Sequence, residues 1–460
     1  MRRVLKFGLI AVGLVVLAVA GFVVALRLHF SPSPPTVHYV MPKDALEAQR
    51  QDLDYFGKLL AMDISFSPPL RAEANQRLRV LSESTTVLPR PAFRVALMEV
   101  AALSENGHTG MATGSGAGAM ELPVRVAGFS DGIYVTHATK PYADLLGGRL
   151  IAIDGHPINE VMQRLEQLRG GVPGWRKAYA ETYISQLDLL AGTGIAPDIR
   201  QSRWTVVTPS GATRTRSLIA HRQGDKEPSL FVKWDYGDAP LTQLGPDWIA
   251  YQPDHPLPAT LSDFTTPFRR FRDGCVMVVQ IKSSSDEGPA HVKDFLAETH
   301  TDMDANKPCA VILDNRFNDG GDYTNLASFG GNLPKHTSGK IIILTSPMTF
   351  SAGITTVGFV KQAGGDRVTI VGEKVGDRMA FYSEGARGCL PNYHLCLNYR
   401  TAKHDYAHAC TDLRSCFWLD WFYPVQVKSF DPDETVTMSF ADWRSGHDPI
   451  YARALALAKS

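Results

Sequence analysis

The sequence has no excess of charge of either sign: 47 lysines and arginines face 47 aspartates and glutamates over 460 residues. A nucleic-acid partner needs a basic stripe to neutralise phosphates, and none stands out, so that class of function has no electrostatic support. Internal repeats and low-complexity stretches are missing as well. No Gly-x-Gly-x-x-Gly follows a strand pattern and no phosphate-loop Gly-Lys-Ser/Thr occurs, which disfavours nucleotide enzymes. Cysteine is sparse, six in the whole chain, so a disulfide-dense miniprotein is excluded. With 44% hydrophobic and 20% charged residues the chain is neither disordered nor collagen-like. Its length corresponds to about three structural units able to bury full cores.

Long hydrophobic runs are confined to the N-terminus. Arg2, Arg3 and Lys6 precede an uncharged run from Phe7 to Leu26. At about 1.5 Å per residue this makes roughly 30 Å of helix, enough to cross a bilayer core. A secretory signal has a shorter apolar stretch, and the run continues past the Ala18-Val19-Ala20 cleavage-like signature to Leu26. The segment 1–30 therefore reads as a transmembrane anchor or, alternatively, a cleaved signal. Either places the rest outside the cytoplasm, on the periplasmic side of the inner membrane if the source is bacterial. Residues 31–42, with Pro32, Pro34 and Pro35, read as a stiff linker.

Further along, residues 43–120 carry helical spacing (Leu53, Phe56, Leu59, Leu60; Val95, Leu97, Val100) and end in a Gly-rich loop from Gly107 to Gly118. Short strands follow over 121–170: Val124–Val126, Ile133–Thr136 and Leu150–Ile153 with Asp154-Gly155 as a turn. Residues 171–270 form a helical and β connecting region with a hairpin at Trp204 and Arg214–Leu218. From 271 to 460 apolar strands (Val276–Ile281, Ala310–Leu313, Lys340–Leu344, Val368–Val371) alternate with helical patterns, the signature of an α/β fold on a mostly parallel, buried sheet.

The densest chemical constellation lies in this last region. A buried strand opens into Asp314-Asn315-Arg316-Phe317-Asn318-Asp319-Gly320-Gly321, and two glycines there free backbone N–H groups to face an oxyanion. A second strand leads to Phe350-Ser351-Ala352-Gly353, a serine among small residues at a strand-to-helix transition. On its own such a serine reads as an N-cap. His108 on its own, in a Gly-rich loop, reads as a solvated surface residue.

Taken in order, Leu313 to Gly321, Phe350 to Gly353 and Val371-Gly372-Glu373-Lys374-Val375-Gly376 resemble the tail-specific (C-terminal processing) protease and tricorn-core family of serine peptidases. Asn106-Gly107-His108-Thr109 is similar to that family's Asp-Gly-His-Thr segment. Residues Asp131 to Val135 and Gly148 to Gly155 resemble its PDZ-like insert, and Asp431-Pro432-Asp433 with Asp448-Pro449 its C-terminal boundary. The resemblance implies a crotonase/ClpP-like α/β core with a PDZ-like β insert and an N-terminal helical cap. It implies Ser351 as nucleophile, the N–H groups of Gly321 and Ala352 as oxyanion hole, a protein or peptide substrate, and no cofactor or metal. The tail-specific branch takes its base from a lysine roughly 25 residues after the serine, but Val375-Gly376-Asp377-Arg378 stands there, and an arginine cannot give up its proton. Lys374, nearby but off register, is the alternative base. The tricorn branch uses a histidine before the insert, which His108 matches, and a neutral imidazole suits a serine hydroxyl. Asp420 and Glu384 are the candidates for the acid that orients it.

Other readings remain at this stage. A scaffold of this kind that binds peptide or ligand without catalysis, or one that cleaves an ester, fits the same residues. The groove at Asp131–Thr136 either captures a substrate C-terminus or only packs. Cys389–Cys396 and Cys410–Cys416 are each spaced to close a small loop, while Cys275 and Cys309 read as buried thiols. His404 and His408, four apart near Cys410 and Cys416, match a zinc pattern as well as a disulfide-stapled loop. The aromatic run Trp418 to Tyr423 suits a satellite core, a substrate wall or a membrane-facing edge.

Overall fold

Strands Val276–Ile281, Ala310–Asp314, Lys340–Thr345 and Val368–Gly372 are apolar along nearly their whole length because both of their faces are covered. In the computed structural model, which describes residues 2–112, 119–222, 245–262 and 266–460, these four run parallel in that order. Phe268–Asp273 closes one edge antiparallel, and Glu434–Thr435 adds to the other in parallel. Alternate residues face opposite layers. Met277, Val279, Val311, Leu313, Ile341 and Ile343 meet helices Val292–Asn306, Thr324–Asn332 and Ala352–Gly364. Val276, Val278, Ile312, Ile342 and Leu344 meet Ile450 and Ala454 of the C-terminal helix Pro449–Lys459. The expected mostly parallel, buried sheet is present.

A second sheet orders Trp248–Ala250, Gly132–Thr139, Arg149–Ile153, Gln201–Val207 and Thr213–Ile219, with Val124–Phe129 paired to Gly132–Thr139. The hairpin at 201–219 thus belongs to the same sheet as the strands of 121–170. Helices Ala45–Met62, Pro68–Glu83 and Arg90–Ala102 share one apolar cluster with this sheet. The first of them is capped by Asp44, whose side chain accepts the N–H of Glu47.

Two expectations are corrected. Cys275 and Cys309 are not buried thiols but an exposed disulfide with Cα atoms 5.4 Å apart. They flank the starts of adjacent parallel strands, and the N–H of Cys309 donates to the carbonyl of Cys275 at 3.0 Å. The Gly-rich loop also contains a short strand, Gly110–Met111, paired with Cys396–Tyr399; its residues 113–118 lie outside the described ones. The local pairs Cys389–Cys396 and Cys410–Cys416 are both disulfides.

The loop after Ala310–Asp314 is held by a buried ion triad. Arg316 donates to Asp314 Oδ2 and Asp448 Oδ2, each at 2.8 Å, and the side chains of all three are almost wholly out of water. Burial alone would lower the guanidinium, but the two carboxylates raise it. Removing one member of such a cluster leaves unpaired buried charge. Arg316→Met is therefore expected to destabilise the fold by about 3–5 kcal/mol, read as a lower denaturant midpoint at unchanged slope.

Candidate active site

Ser351 ends the turn that follows strand Lys340–Thr345 and stands immediately before helix Ala352–Gly364. Its backbone has φ 52° and ψ −124°, a conformation a β-carbon makes costly, and its side chain makes no cap hydrogen bond. The hydroxyl is therefore not spent on capping, contrary to the N-cap expectation. Gly320, at φ 124°, lies against it: a β-carbon at position 320 would come within 2.7 Å of Ser351 Cβ and 3.2 Å of its Oγ. This contact requires glycine.

The glycine loop is fixed from within. Asn318 Oδ1 accepts from the Gly320 N–H at 3.1 Å and from Ser284 Oγ, and the Asn318 carbonyl accepts from the Phe350 N–H at 3.0 Å. Asn315 Nδ2 donates to the Gly353 carbonyl at 2.8 Å. Neither the Gly321 N–H, next to Ser285, nor the Ala352 N–H at the helix start donates to a group among the described residues. Two backbone donors beside a strained serine at a helix N-terminus can stabilise an oxyanion.

His108 is not a solvated loop residue: its side chain is 9% exposed. The segment around it is pinned on four sides. The Gly107 carbonyl accepts from Arg169 Nη2 at 2.6 Å and Trp175 Nε1 at 3.3 Å. The His108 carbonyl accepts from Arg400 Nε at 2.8 Å, and Asn106 bonds both backbone groups of Tyr382. The ring stacks on Phe350, the neighbour of Ser351, with centroids 4.2 Å apart, and on Phe381 at 5.1 Å. Neither ring nitrogen has a hydrogen-bond partner among the described residues, so the imidazole and the Ser351 hydroxyl are not bonded in this conformation. Burial first, then the Arg400, His404 and Arg169 cations, hold the imidazole well below its ordinary value, so it is neutral.

An acid does face His108, and it is neither of the two expected ones. Asp377 Oδ2 lies 3.4 Å from His108 Nδ1, and burial pushes its carboxyl up to about 7 against the pull of the Arg378 N–H. With Nδ1 turned to Asp377, Nε2 is the nitrogen left for a hydroxyl. The signal was in the sequence: Asp377 sits where the tail-specific branch has its lysine. Asp420 instead pairs with His404 at 2.9 Å and accepts from Tyr323, while Glu384 offers its carbonyl to Arg400 at 2.9 Å. Lys374 is 77% exposed and ion-paired with Asp431 at 2.9 Å, without the desolvation that makes a lysine a base. The thiolates a zinc site needs are absent from the His404 region, because Cys410 and Cys416 are bonded to each other.

Against solved structures, the chain matches mature CPAF with a TM-score of 0.56 at 14% identity, covering 90% of this chain and 96% of that one. The fold is that of mature CPAF. The complex of mature CPAF with lactacystin matches equally, at TM-score 0.56 and 14% identity, over 90% and 97% of the two chains. A serine-to-alanine variant of CPAF matches at TM-score 0.57 and 14% identity, over 90% and 96%. No family model and no curated protein matches the sequence.

Proposed function

We propose that this chain is a membrane-anchored serine peptidase of the tail-specific and tricorn-core family, closer to the tricorn branch. Its nucleophile is Ser351, its general base His108, its oxyanion donors the N–H groups of Gly321 and Ala352, and its orienting acid Asp377. The carrying observation is the strained, uncapped Ser351 wedged between Gly320 and a helix start, with the neutral ring of His108 stacked on the adjacent Phe350. The shared fold with a protein solved both as a serine-to-alanine variant and with lactacystin bound adds support.

In this reading Ser351 Oγ attacks the peptide carbonyl carbon while its proton passes to His108 Nε2. The carbonyl oxygen gains the electron pair and meets the two N–H donors. As the C–N bond breaks, the imidazolium returns the proton to the leaving amine. Water then attacks the acyl-enzyme by the same route and frees Ser351. The turn of His108 Nε2 onto Oγ accompanies substrate binding, as apo sites are often looser than loaded ones.

The crotonase/ClpP-like description suits the parallel sheet, and the PDZ-like one suits the sheet around 124–157. There a cleft of about 700 Å³ opens between Ser130–Ile133 and helix Ile158–Glu166, with Arg149 and Lys177 in its wall. Those cations suit a substrate carboxylate. Anchoring rests on the helix Arg2–Phe30, whose segment Val12–Phe30 has a mean hydropathy of 2.2 and lies free of the protein interior as far as Ala25. Its last residue is docked: Phe30 is buried, and its carbonyl accepts from Thr401 Oγ1 at 2.6 Å. Exposed Leu413 and Phe422 lie in the same insert as Arg414, whose carbonyl meets His29 at 2.9 Å, a surface suited to the bilayer interface. Three disulfides fit a compartment outside the cytoplasm.

The second reading is a catalytically inactive peptide- or ligand-binding relative, favoured by the absence of hydrogen bonds on either His108 nitrogen among the described residues. Full-length protein in detergent, incubated with a peptide library, separates the two. Cleavage by wild type that is lost in Ser351→Ala supports the peptidase, and saturable binding without cleavage supports the relative. Lys374→Ala is expected to keep kcat/KM within about twofold of wild type; a loss above about 100-fold would make Lys374 the base instead.

A further inference from the structure

We propose that His404 is a positioning residue for His108: locked between Ser383 and Asp420, it closes a column of five stacked rings that fixes the plane of the His108 imidazole. This rests on the reading of His108 as general base.

Neither ring nitrogen of His108 is hydrogen-bonded among the described residues; Asp377 faces its Nδ1 edge, and the plane of the ring is set by what stacks on its two faces, Phe350 and Phe381. Each of these is backed by another ring. Trp175 lies on Phe350 with centroids 3.7 Å apart and planes 8° off parallel; His404 lies on Phe381 at 5.1 Å and 25°. Of the three inner rings Phe381 also meets Tyr406 edge-on at 5.6 Å, whereas both end rings are held by hydrogen bonds. Trp175 Nε1 donates to the Gly107 carbonyl, and both nitrogens of His404 are engaged. His404 Nε2 is 2.6 Å from Ser383 Oγ, and Nδ1 bonds Asp420 Oδ1 at 3.1 Å, the oxygen that also accepts from Tyr323 at 2.8 Å.

Hydroxyl, imidazole and carboxylate here follow the order of a hydrolytic relay, but Ser383 is 5% exposed and lies within the antiparallel pair Ala380–Ser383 and Ala402–Asp405. The unit faces inward, toward Phe381. Burial alone would lower His404, but Asp420 holds it above its ordinary value, so the ring behind Phe381 favours its protonated form more than a free imidazole does and is paired with the carboxylate on its far side. Spacings of 5.1 Å on both sides of Phe381 put the two imidazoles roughly 10 Å apart. At that separation a buried unit charge changes a protonation equilibrium about tenfold.

The other charged groups around His108 are known. Asp377 faces Nδ1; Arg400 and Arg169 hold the carbonyls of His108 and Gly107; Arg378 bridges to Glu105; Glu384, Asp63 and Tyr406 stand behind Arg400 and Phe381. None of these occupies a ring face of His108.

The test compares full-length wild type, His404→Gln, and the double variant His404→Phe with Asp420→Asn. His404→Gln keeps bonds to Ser383 and Asp420 but loses the ring and the cation. It is expected to lower kcat about 10- to 100-fold at nearly constant KM and to raise the acidic limb of the kcat profile by about one pH unit. The double variant restores the ring without the charge: kcat recovers at least tenfold, and the limb stays raised. Histidine-selective NMR of the same proteins, which needs no hydrolysis, is expected to show the His108 ring titrating higher in both variants, by about one unit in His404→Gln and by less in the double variant, which removes the carboxylate together with the cation. If wild type cleaves nothing but His108 moves as stated, the peptidase reading fails and the positioning stands. An unmoved His108 titration, or a kcat loss that merely follows a fall in Tm and is not recovered by the double variant, overturns it.

Discussion

Replacing Ser351 by alanine is expected to lower peptide hydrolysis by about 10⁴- to 10⁶-fold and to abolish labelling by a fluorophosphonate probe, with the fold intact. The size follows from what the hydroxyl does. Without it there is no acyl-enzyme, and only the N–H donors and substrate binding remain to stabilise the transition state. The fold should tolerate the change because the side chain caps no helix end and Ala removes only one oxygen. Alanine cannot easily relieve the φ of 52°, so any stability change should stay within about 1 kcal/mol. Ser351→Gly, freed of that strain, should be at least as stable and equally inactive.

His108→Ala should cost a similar several orders of magnitude in kcat, because an unassisted serine hydroxyl holds its proton at neutral pH. The pH dependence gives this a sign. Burial and three nearby cations hold the imidazole well below its ordinary value, so the base form persists as pH falls, and the acidic limb of kcat/KM should lie below the range of an ordinary imidazole. Asp377, raised to about 7, takes up its proton above that limb and couples to His108. Asp377→Asn keeps a group at Nδ1 but cannot carry charge. It should lower kcat by about 10- to 10⁴-fold and leave a simpler, single-step acidic limb, measured on the same substrate. An acidic limb centred near 6.5 and unchanged in Asp377→Asn would argue that a different, solvated group is the base.

Much of the frame was legible because burial on two faces leaves a simple mark. The runs Val276–Ile281, Ala310–Leu313 and Lys340–Leu344 read as central strands, and they are. Ser351 and the glycine pair were legible as local patterns, since a strand, a turn and a helix start follow one another in sequence. What was not legible depends on neighbours distant in the chain. Cys275 and Cys309 meet only because two parallel strands begin side by side, and hydropathy around each says nothing of that. Asp377 lay unremarked in the run Val375–Arg378 that stands in place of the lysine turn, and its approach to His108 depends on a loop that packs against Phe350 and Trp175. Asp420 was expected at His108; the pairing of Ala380–Ser383 with Ala402–Asp405 places His404 in front of it and Phe381 between the two imidazoles. The same pairing gives the chain a sealed serine–histidine pair, Ser383 with His404, separate from the uncapped Ser351 beside the paired glycines.

Mapping the covalent adduct separates those two serines. Full-length wild type is treated with a fluorophosphonate, digested, and the modified serine located by mass spectrometry. The account predicts one adduct, on Ser351, strongly slowed in His108→Ala and unaffected by Ser383→Ala in protein that remains folded. An adduct on Ser383, or none on Ser351 in a folded protein that still cleaves peptides, would contradict it.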